Sequence, residues 1–347
     1  MKALVTGGGG FLGKAIVERL LHRGDQVTCF ARGDYPELRR IGAATVRGDI
    51  VDAHAVVSAA EGCDIIFHVA AKPGIWGNYE PYYATNVTGT ENVIEACRKN
   101  GIARLVYTSS PSVVFQGRDM EGVDESIPYP AKYPTAYLGT KAMAEQMVMQ
   151  ANGRKLATVA LRPHLIWGPG DPNFLPRLME RRKAGRLFRV GKKSHLVDCI
   201  YIDNAVEAHL LAADRLNAGS PVAGRTYFIS QGEPIDIVAL MNGILGAAGL
   251  PPIERTIPEG LTRAAGWLFE KIYSTLGRTG EPPMTRFLAK QLSTAHWFDI
   301  SAAKRDLDYR PLVSIEEGFK RLHEFLQAKE TIQGSVRPGF STETDEP

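Results

Sequence analysis

Tyr137 and Lys141 lie four residues apart in YLGTK, so a helix through this stretch places both side chains on one face. An ammonium beside a phenol stabilises the phenolate and draws its pKa down from ~10, giving an acid/base usable near neutral pH. The pair alone decides little, because Tyr and Lys four apart also occur on ordinary helices. Tyr133 is a weaker candidate, since four residues on it meets Tyr137 and no cation. Upstream, RLVYTSSPSVV ends a predicted strand on Thr108, Ser109 and Ser110. In a parallel α/β sheet, ligands sit beyond the C-terminal strand ends. A hydroxyl there can bond a carbonyl oxygen and stabilise a developing alkoxide. A plain strand-end turn would use the same residues.

The N-terminal end offers a second chemistry. MKALVTGGGGFLGKAI carries four consecutive glycines, and two registers fit them: Gly8, Gly10 and Gly13, or Gly7, Gly10 and Gly13. Either turn lets backbone N–H groups approach a pyrophosphate at a helix N-terminus. It is not a P-loop, because Gly13-Lys14 is followed by Ala15. An enzyme selecting NAD carries Asp or Glu at the end of the second strand to hold the ribose 2′-hydroxyl. This chain reads CFARG there, and the Arg32 guanidinium suits a 2′-phosphate, which points to NADP(H). The competing reading leaves Arg32 in solvent and gives the acid's part to Asp34. Asp49, in RGDI after the third strand, either meets the adenine edge or caps the helix that follows.

These residues need a scaffold, and the pattern supplies one. Apolar runs at 3–6, 26–31, 44–47, 64–70, 104–110 and 156–162 alternate with helical stretches such as FLGKAIVERLLHRG and NVTGTENVIEACRKNG, each closing on glycine. Strands alternating with helices predict a doubly wound parallel α/β sheet of Rossmann type. Residues 1–162 read as the NADP(H)-binding domain, with segments near 198–216 and 225–230 returning to it. Residues 163–330 read mainly as a smaller substrate domain, and 331–347 as a disordered tail.

Composition narrows the class. The 347 residues are 44% hydrophobic and 23% charged, with a net charge of +3 and no long basic run, which argues against nucleic acid. Cys29, Cys63, Cys97 and Cys199 form no C-x-x-C pair and read as reduced thiols of a cytoplasmic protein, with neither zinc nor a disulfide framework. Met1 runs straight into a strand pattern with no signal peptide, and no apolar stretch approaches the ~20 residues of a membrane span.

A glycine turn, a serine at a later strand end and Y-x-x-x-K 27 residues beyond it form an ordered set that resembles the short-chain dehydrogenase/reductase superfamily. The Gly7 register, HVAA (68–71), Asn86 in YYATNVTGT, LRPHLIWGPGD and YIDNAVEAH resemble its extended branch. PPMTRFLAKQL and WFDISAAKRDLDYRP resemble the 3β-hydroxysteroid dehydrogenase-like group within it. The resemblance implies Tyr137 as general acid/base, Lys141 as the group that poises it and holds the nicotinamide ribose, Ser110 as the carbonyl-orienting hydroxyl and Asn86 as a supporting residue. It implies cofactor contacts at Gly7, Gly10, Phe11, Leu12, Gly13, Arg32, Asp49, Ile50, Ala70, Ala71, Tyr137, Lys141 and Pro163. TGGGGFLG, ARGDYPEL and HVAAKPGIWG are similar to the bacterial 2-alkyl-3-oxoalkanoate reductases of long-chain olefin biosynthesis. That likeness implies NADPH-dependent reduction of a β-keto acid, with a β-lactone synthetase and a β-lactone decarboxylase as candidate partners and a homodimer as the assembly. The same residues would also serve a 3β-hydroxysteroid or sterol-4α-carboxylate dehydrogenase. A nucleotide sensor on this fold would keep the glycines and lose the tyrosine–lysine pair.

A substrate with one carboxylate and two alkyl tails calls for a cation and an apolar surface. Lys72 after HVAA, or Arg286, is a candidate for the carboxylate, though each also reads as a solvated charge; His164 stands nearby in sequence after Arg162-Pro163. In EGLTRAAGWLFEKIYSTLGR (259–278), apolar residues recur at helical spacing. Three readings stand for this helix: core packing, a lid over an alkyl channel, or a peripheral contact with a membrane surface.

Overall fold

The computed structural model describes residues 1–278 and 280–335, with side chains described through Thr331. Its centre is a sheet of seven strands: β1 (Lys2–Thr6), β2 (Gln26–Ala31), β3 (Ala44–Arg47), β4 (Ile65–His68), β5 (Arg104–Thr108), β6 (Ala157–Pro163) and β7 (Arg225–Ile229). All neighbours pair in parallel, in the order β7-β6-β5-β4-β1-β2-β3. The strands are continuously apolar because both faces are covered. Val5, Phe67, Val106 and Leu161 enter one core, and their neighbours Leu4, Ile66, Leu105 and Ala160 enter the other.

Helices α1 (Phe11–His22), α2 (Gly89–Asn100), α3 (Ala136–Gln150) and α4 (Ile202–Arg215) cover these faces. α1 buries Leu12, Ile16, Val17 and Leu20 and packs beside α4. Strand order reverses between β1 and β4, so a crevice opens past their C-terminal ends. The segments expected near 198–216 and 225–230 lie here as α4 and β7.

The remaining chain builds a smaller layer. Ile235–Asp236, Leu196–Val197, His296–Phe298 and Met120–Val123 form a four-stranded sheet. It therefore borrows a strand from the first half of the chain. Helices α5 (Glu259–Thr275) and α6 (Arg286–Gln291) pack together. Helix α7 (Ile315–Ser335) runs into the segment expected to be a tail; residues 336–347 of that tail lie outside the described residues. Among the described residues no helix is long and apolar enough to cross a membrane.

The core-packing reading of 259–278 is corrected. Only Thr262 and Gly266 of α5 are buried, and the apolar stripe faces outward. Small side chains seat this helix against α6, so its large ones have nothing to pack on.

Candidate active site

The glycine turn shows its register in its geometry. Gly7 has φ +69°, and a Cβ there would lie 2.8 Å from the Ala70 backbone of the HVAA strand end. A Cβ on Gly13 would fall 2.2 Å from the Gly7 carbonyl oxygen. Gly10 donates its N–H to that same carbonyl at 2.9 Å. The turn thus closes where Gly7 and Gly13 come too near backbone for a Cβ, with Gly10 bonded between them.

A cavity of about 750 Å³ starts at this turn and runs along the C-terminal strand ends. It is walled by Gly7, Gly10, Phe11, Leu12, Gly13, Arg32, Asp49, Ile50, Ala70, Ala71, Ser110, Tyr137, Lys141 and Pro163, which sequence reasoning had scattered over more than 150 positions. Tyr35, Leu165, Asp171 and Phe174 also line it, though none was a candidate site residue from the sequence. Asp171 caps the turn that follows it by accepting N–H bonds from Asn173 (2.8 Å) and Leu175 (3.1 Å).

Arg32 has no acidic partner among the described residues, and the Arg47 guanidinium donates to its carbonyl at 3.0 Å. Asp34, the rival for the ribose, is held by Arg39 instead and is exposed. Asp49 accepts the Val51 N–H at 3.2 Å, while the helix cap is made by Asp52, so the capping reading of Asp49 falls away.

At the other end Thr135 caps α3, and that helix presents Tyr137 and Lys141 to the cavity. The Ser110 hydroxyl oxygen accepts bonds from the Ser112 N–H (3.2 Å) and hydroxyl (2.9 Å). Its own proton is left to donate, and the hydroxyl beside Tyr137 draws the phenol down against the larger upward push of burial. No direct bond joins Lys141 to Tyr137. The Lys141 ammonium instead donates to the Thr108 carbonyl at 2.7 Å and sits 4.2 Å from the centre of the Tyr107 ring. Burial brings Lys141 down to about 7, with the Glu145 carboxylate opposing.

A polar scaffold stands behind these groups. A single π-helical turn over Ala84–Thr88 carries the buried Asn86, a local irregularity that often marks functional sites. Asn86 Oδ1 accepts the Lys72 N–H (2.7 Å), and Nδ2 donates to the Thr140 hydroxyl (3.0 Å) and the Lys72 carbonyl (3.3 Å). It thereby ties the Lys72 loop to α3 without reaching the cavity. His68 links Thr6 Oγ1 (2.8 Å) to Thr90 Oγ1 (2.9 Å), and burial holds it down near 3, so it is neutral. One turn beyond Lys141, the buried Glu145 takes a forked bond from Arg162 (2.6 and 2.9 Å) and a third from the Tyr129 hydroxyl (2.6 Å). Sequence reasoning missed this pair, although a Glu on the buried face of α3 and an Arg inside an apolar strand are both visible signals.

The substrate candidates do not come together. Lys72 has its backbone clamped by Asn86 between two cavity residues, Ala71 and Pro73, and its ammonium lies 5.2 Å from the Tyr82 ring centre. His164 faces away from the cavity wall and donates to His296 Nδ1 at 2.8 Å, edge-on to Phe298. Arg286 is bound to Glu270 at 2.6 Å and borders a separate groove with Trp267.

A dinucleotide-type glycine turn and a serine–tyrosine–lysine set at the same strand ends define an oxidoreductase of the extended short-chain dehydrogenase/reductase class. The chain belongs to the 3-beta hydroxysteroid dehydrogenase/isomerase family, whose model matches residues 4–258. It is 51% identical to a 2-alkyl-3-oxoalkanoate reductase of Shewanella oneidensis, over 92% of this chain and 85% of that one. It is 50% identical to the protein of the same name from Stenotrophomonas maltophilia, over 93% and 98%. A 3beta-hydroxysteroid-dehydrogenase/decarboxylase isoform 1 of Arabidopsis thaliana matches at 37%, over 92% and 78%. Among solved structures, MoeE5 in complex with UDP-glucose and NAD superposes with a TM-score of 0.72 at 23% identity, over 95% and 100% of the two chains. That last likeness is one of fold.

Proposed function

We propose that this protein reduces a 2-alkyl-3-oxoalkanoate to the 2-alkyl-3-hydroxyalkanoate with NADPH, within long-chain olefin biosynthesis. The observation that carries the reading is the single cavity joining the glycine turn to Ser110, Tyr137 and Lys141, in a chain half identical to two reductases of that name. The cradle fits the cofactor: a Cβ on Gly7 or Gly13 would clash with the backbone, helix α1 opens at Phe11 with the N–H groups of its first turn beside the cavity, and the cavity continues past Arg32 at one end and Tyr137 at the other. When bound, NADPH supplies the hydride to the carbonyl carbon.

The chain's own residues do the rest. Ser110 donates to the substrate oxygen and fixes it beside the Tyr137 hydroxyl. Tyr137, pushed up by burial, carries its proton at neutral pH and releases it to that oxygen as charge develops. Lys141 bonds the ribose hydroxyls and, as a cation, offsets the charge left on Tyr137. Arg32 receives the 2′-phosphate as a charged fork. The substrate carboxylate is assigned to Lys72, whose neighbours Ala71 and Pro73 line the cavity.

NADPH oxidation measured against 2-alkyl-3-oxo acids, 3-oxosteroids and simple 3-oxo esters tests the substrate. Turnover confined to the steroids overturns it. Tyr137→Phe is expected to lose about 100-fold or more in kcat while still binding NADPH; near-wild-type turnover removes the mechanism.

A further inference from the structure

The outer face of α5 is the largest concentration of exposed apolar side chains on one element. Leu261 is 61% exposed, Trp267 51%, Leu268 51%, Ile272 38% and Leu276 60%. Leu261, Leu268, Ile272 and Leu276 follow one line along the helix, at spacings of seven, four and four residues. Small residues, not large apolar ones, seat the helix: Thr262 is buried, Gly266 lies against the backbone of Thr285 and Arg286, and Arg286 reaches back to Glu270. The amphipathic pattern is therefore inverted relative to a helix that serves a protein core.

Apart from Glu259 in its first turn, the unpaired charges on and beside this helix are positive. Glu270 is engaged by Arg286 (2.6 Å) and Glu281 by Arg177 (2.7 Å), which leaves Arg263, Lys271, Arg278 and Lys290 without an acidic partner among the described residues. Arg263, Arg286 and Lys290 line a groove of about 540 Å³ along the side of the helix, with Trp267 at its edge.

We infer that α5 is a membrane-surface helix: it lies in the plane of an anionic lipid leaflet, with the leucine stripe among the acyl chains and Arg263, Lys271, Arg278 and Lys290 on the lipid phosphates. An apolar stripe bordered by cations and a tryptophan is the chemistry such an interface selects. A second copy of the chain fits less well. A two-fold contact through this face would set the unpaired cations of one copy against the same cations of the other. The inference stands apart from the reductase reading, since it uses no residue of the cavity.

The test uses the full chain in vesicle co-sedimentation. The wild type is expected to sediment with phosphatidylcholine vesicles carrying about one-third phosphatidylglycerol, more weakly with phosphatidylcholine alone, and less as salt rises. Leu261→Glu with Leu268→Glu and Leu276→Glu should cut the partition at least about tenfold. Arg263→Gln with Lys271→Gln and Lys290→Gln should cut binding to the anionic vesicles about tenfold and flatten its salt dependence. Thermal unfolding and turnover of a short-tailed, water-soluble 2-alkyl-3-oxo acid report that both variants fold. Absence of wild-type binding to either vesicle overturns the inference, as does a stripe variant that binds like wild type. A wild-type dimer that the stripe variant splits, with no vesicle binding by either, assigns the face to a second copy and also overturns it. Failure of turnover with intact vesicle binding strikes only the reductase reading.

Discussion

Glu145→Gln isolates one buried charge behind the catalytic helix. Glu145 and Arg162 are both buried, and Arg162 forks onto the two carboxylate oxygens at 2.6 and 2.9 Å while Tyr129 donates a third bond at 2.6 Å. Glutamine keeps the shape but turns one acceptor into a donor that faces the Arg162 Nε–H. The guanidinium is then left buried without its counter-charge, above the Phe228 ring at 5.1 Å. Removing one partner of such a pair costs about 3–5 kcal/mol, which in a chain of this length lowers the unfolding midpoint by roughly 5 °C. A second effect reaches the site. The Glu145 carboxylate is what holds the Lys141 ammonium up against burial, so its loss carries Lys141 further below about 7. Less than half of Lys141 is then protonated at neutral pH. The KM for NADPH should rise, and the alkaline limb of the kcat/KM profile should move to lower pH. Calorimetry and pH-dependent initial rates measure the two effects separately. Adding Arg162→Met to Glu145→Gln should recover much of the stability and none of the shifted pH profile. A Glu145→Gln enzyme with wild-type melting and a wild-type pH profile refutes the reasoning on both counts.

Two further outcomes follow from the geometry. Arg32→Ser should raise the KM for NADPH about tenfold and leave that for NADH nearly unchanged; equal effects on both cofactors would return Arg32 to solvent. Asp198, fully buried with Oδ1 unpaired, is pushed up to about 6 by burial against the opposing Phe298 N–H bond. Its folded pKa lies above the unfolded value near 4, so the native form binds the extra proton and stability falls as pH rises from about 4 to 6. Asp198→Asn should therefore melt higher than wild type at pH 7.5 and no higher at pH 4, by calorimetry at both pH values.

Local chemistry determined much of this protein. Strands apolar on both faces, helices closing on glycine and the order glycine turn, Ser110, Tyr137, Lys141 were legible because each rests on periodicity or on spacing within one element. The glycine register was not settled by the four glycines themselves. The ordered set of Ser110, Tyr137 and Lys141 chose Gly7, and only the structure gives the physical reason for glycine there: Gly7 meets the Ala70 backbone and Gly13 the Gly7 carbonyl. The same holds wherever a partner comes from a distant element. Glu145 meets Arg162 only because α3 lies on β6, and Asn86 supports the site through Lys72 and Thr140 instead of entering it. Arg286 looked like a free cation until α5 brought Glu270 to it. The stripe of 259–278 had the spacing of a core helix, but spacing fixes only which residues share a face. Which way that face turns depends on what packs beneath, and here Thr262 and Gly266 occupy the inner side and leave the leucines to the outside.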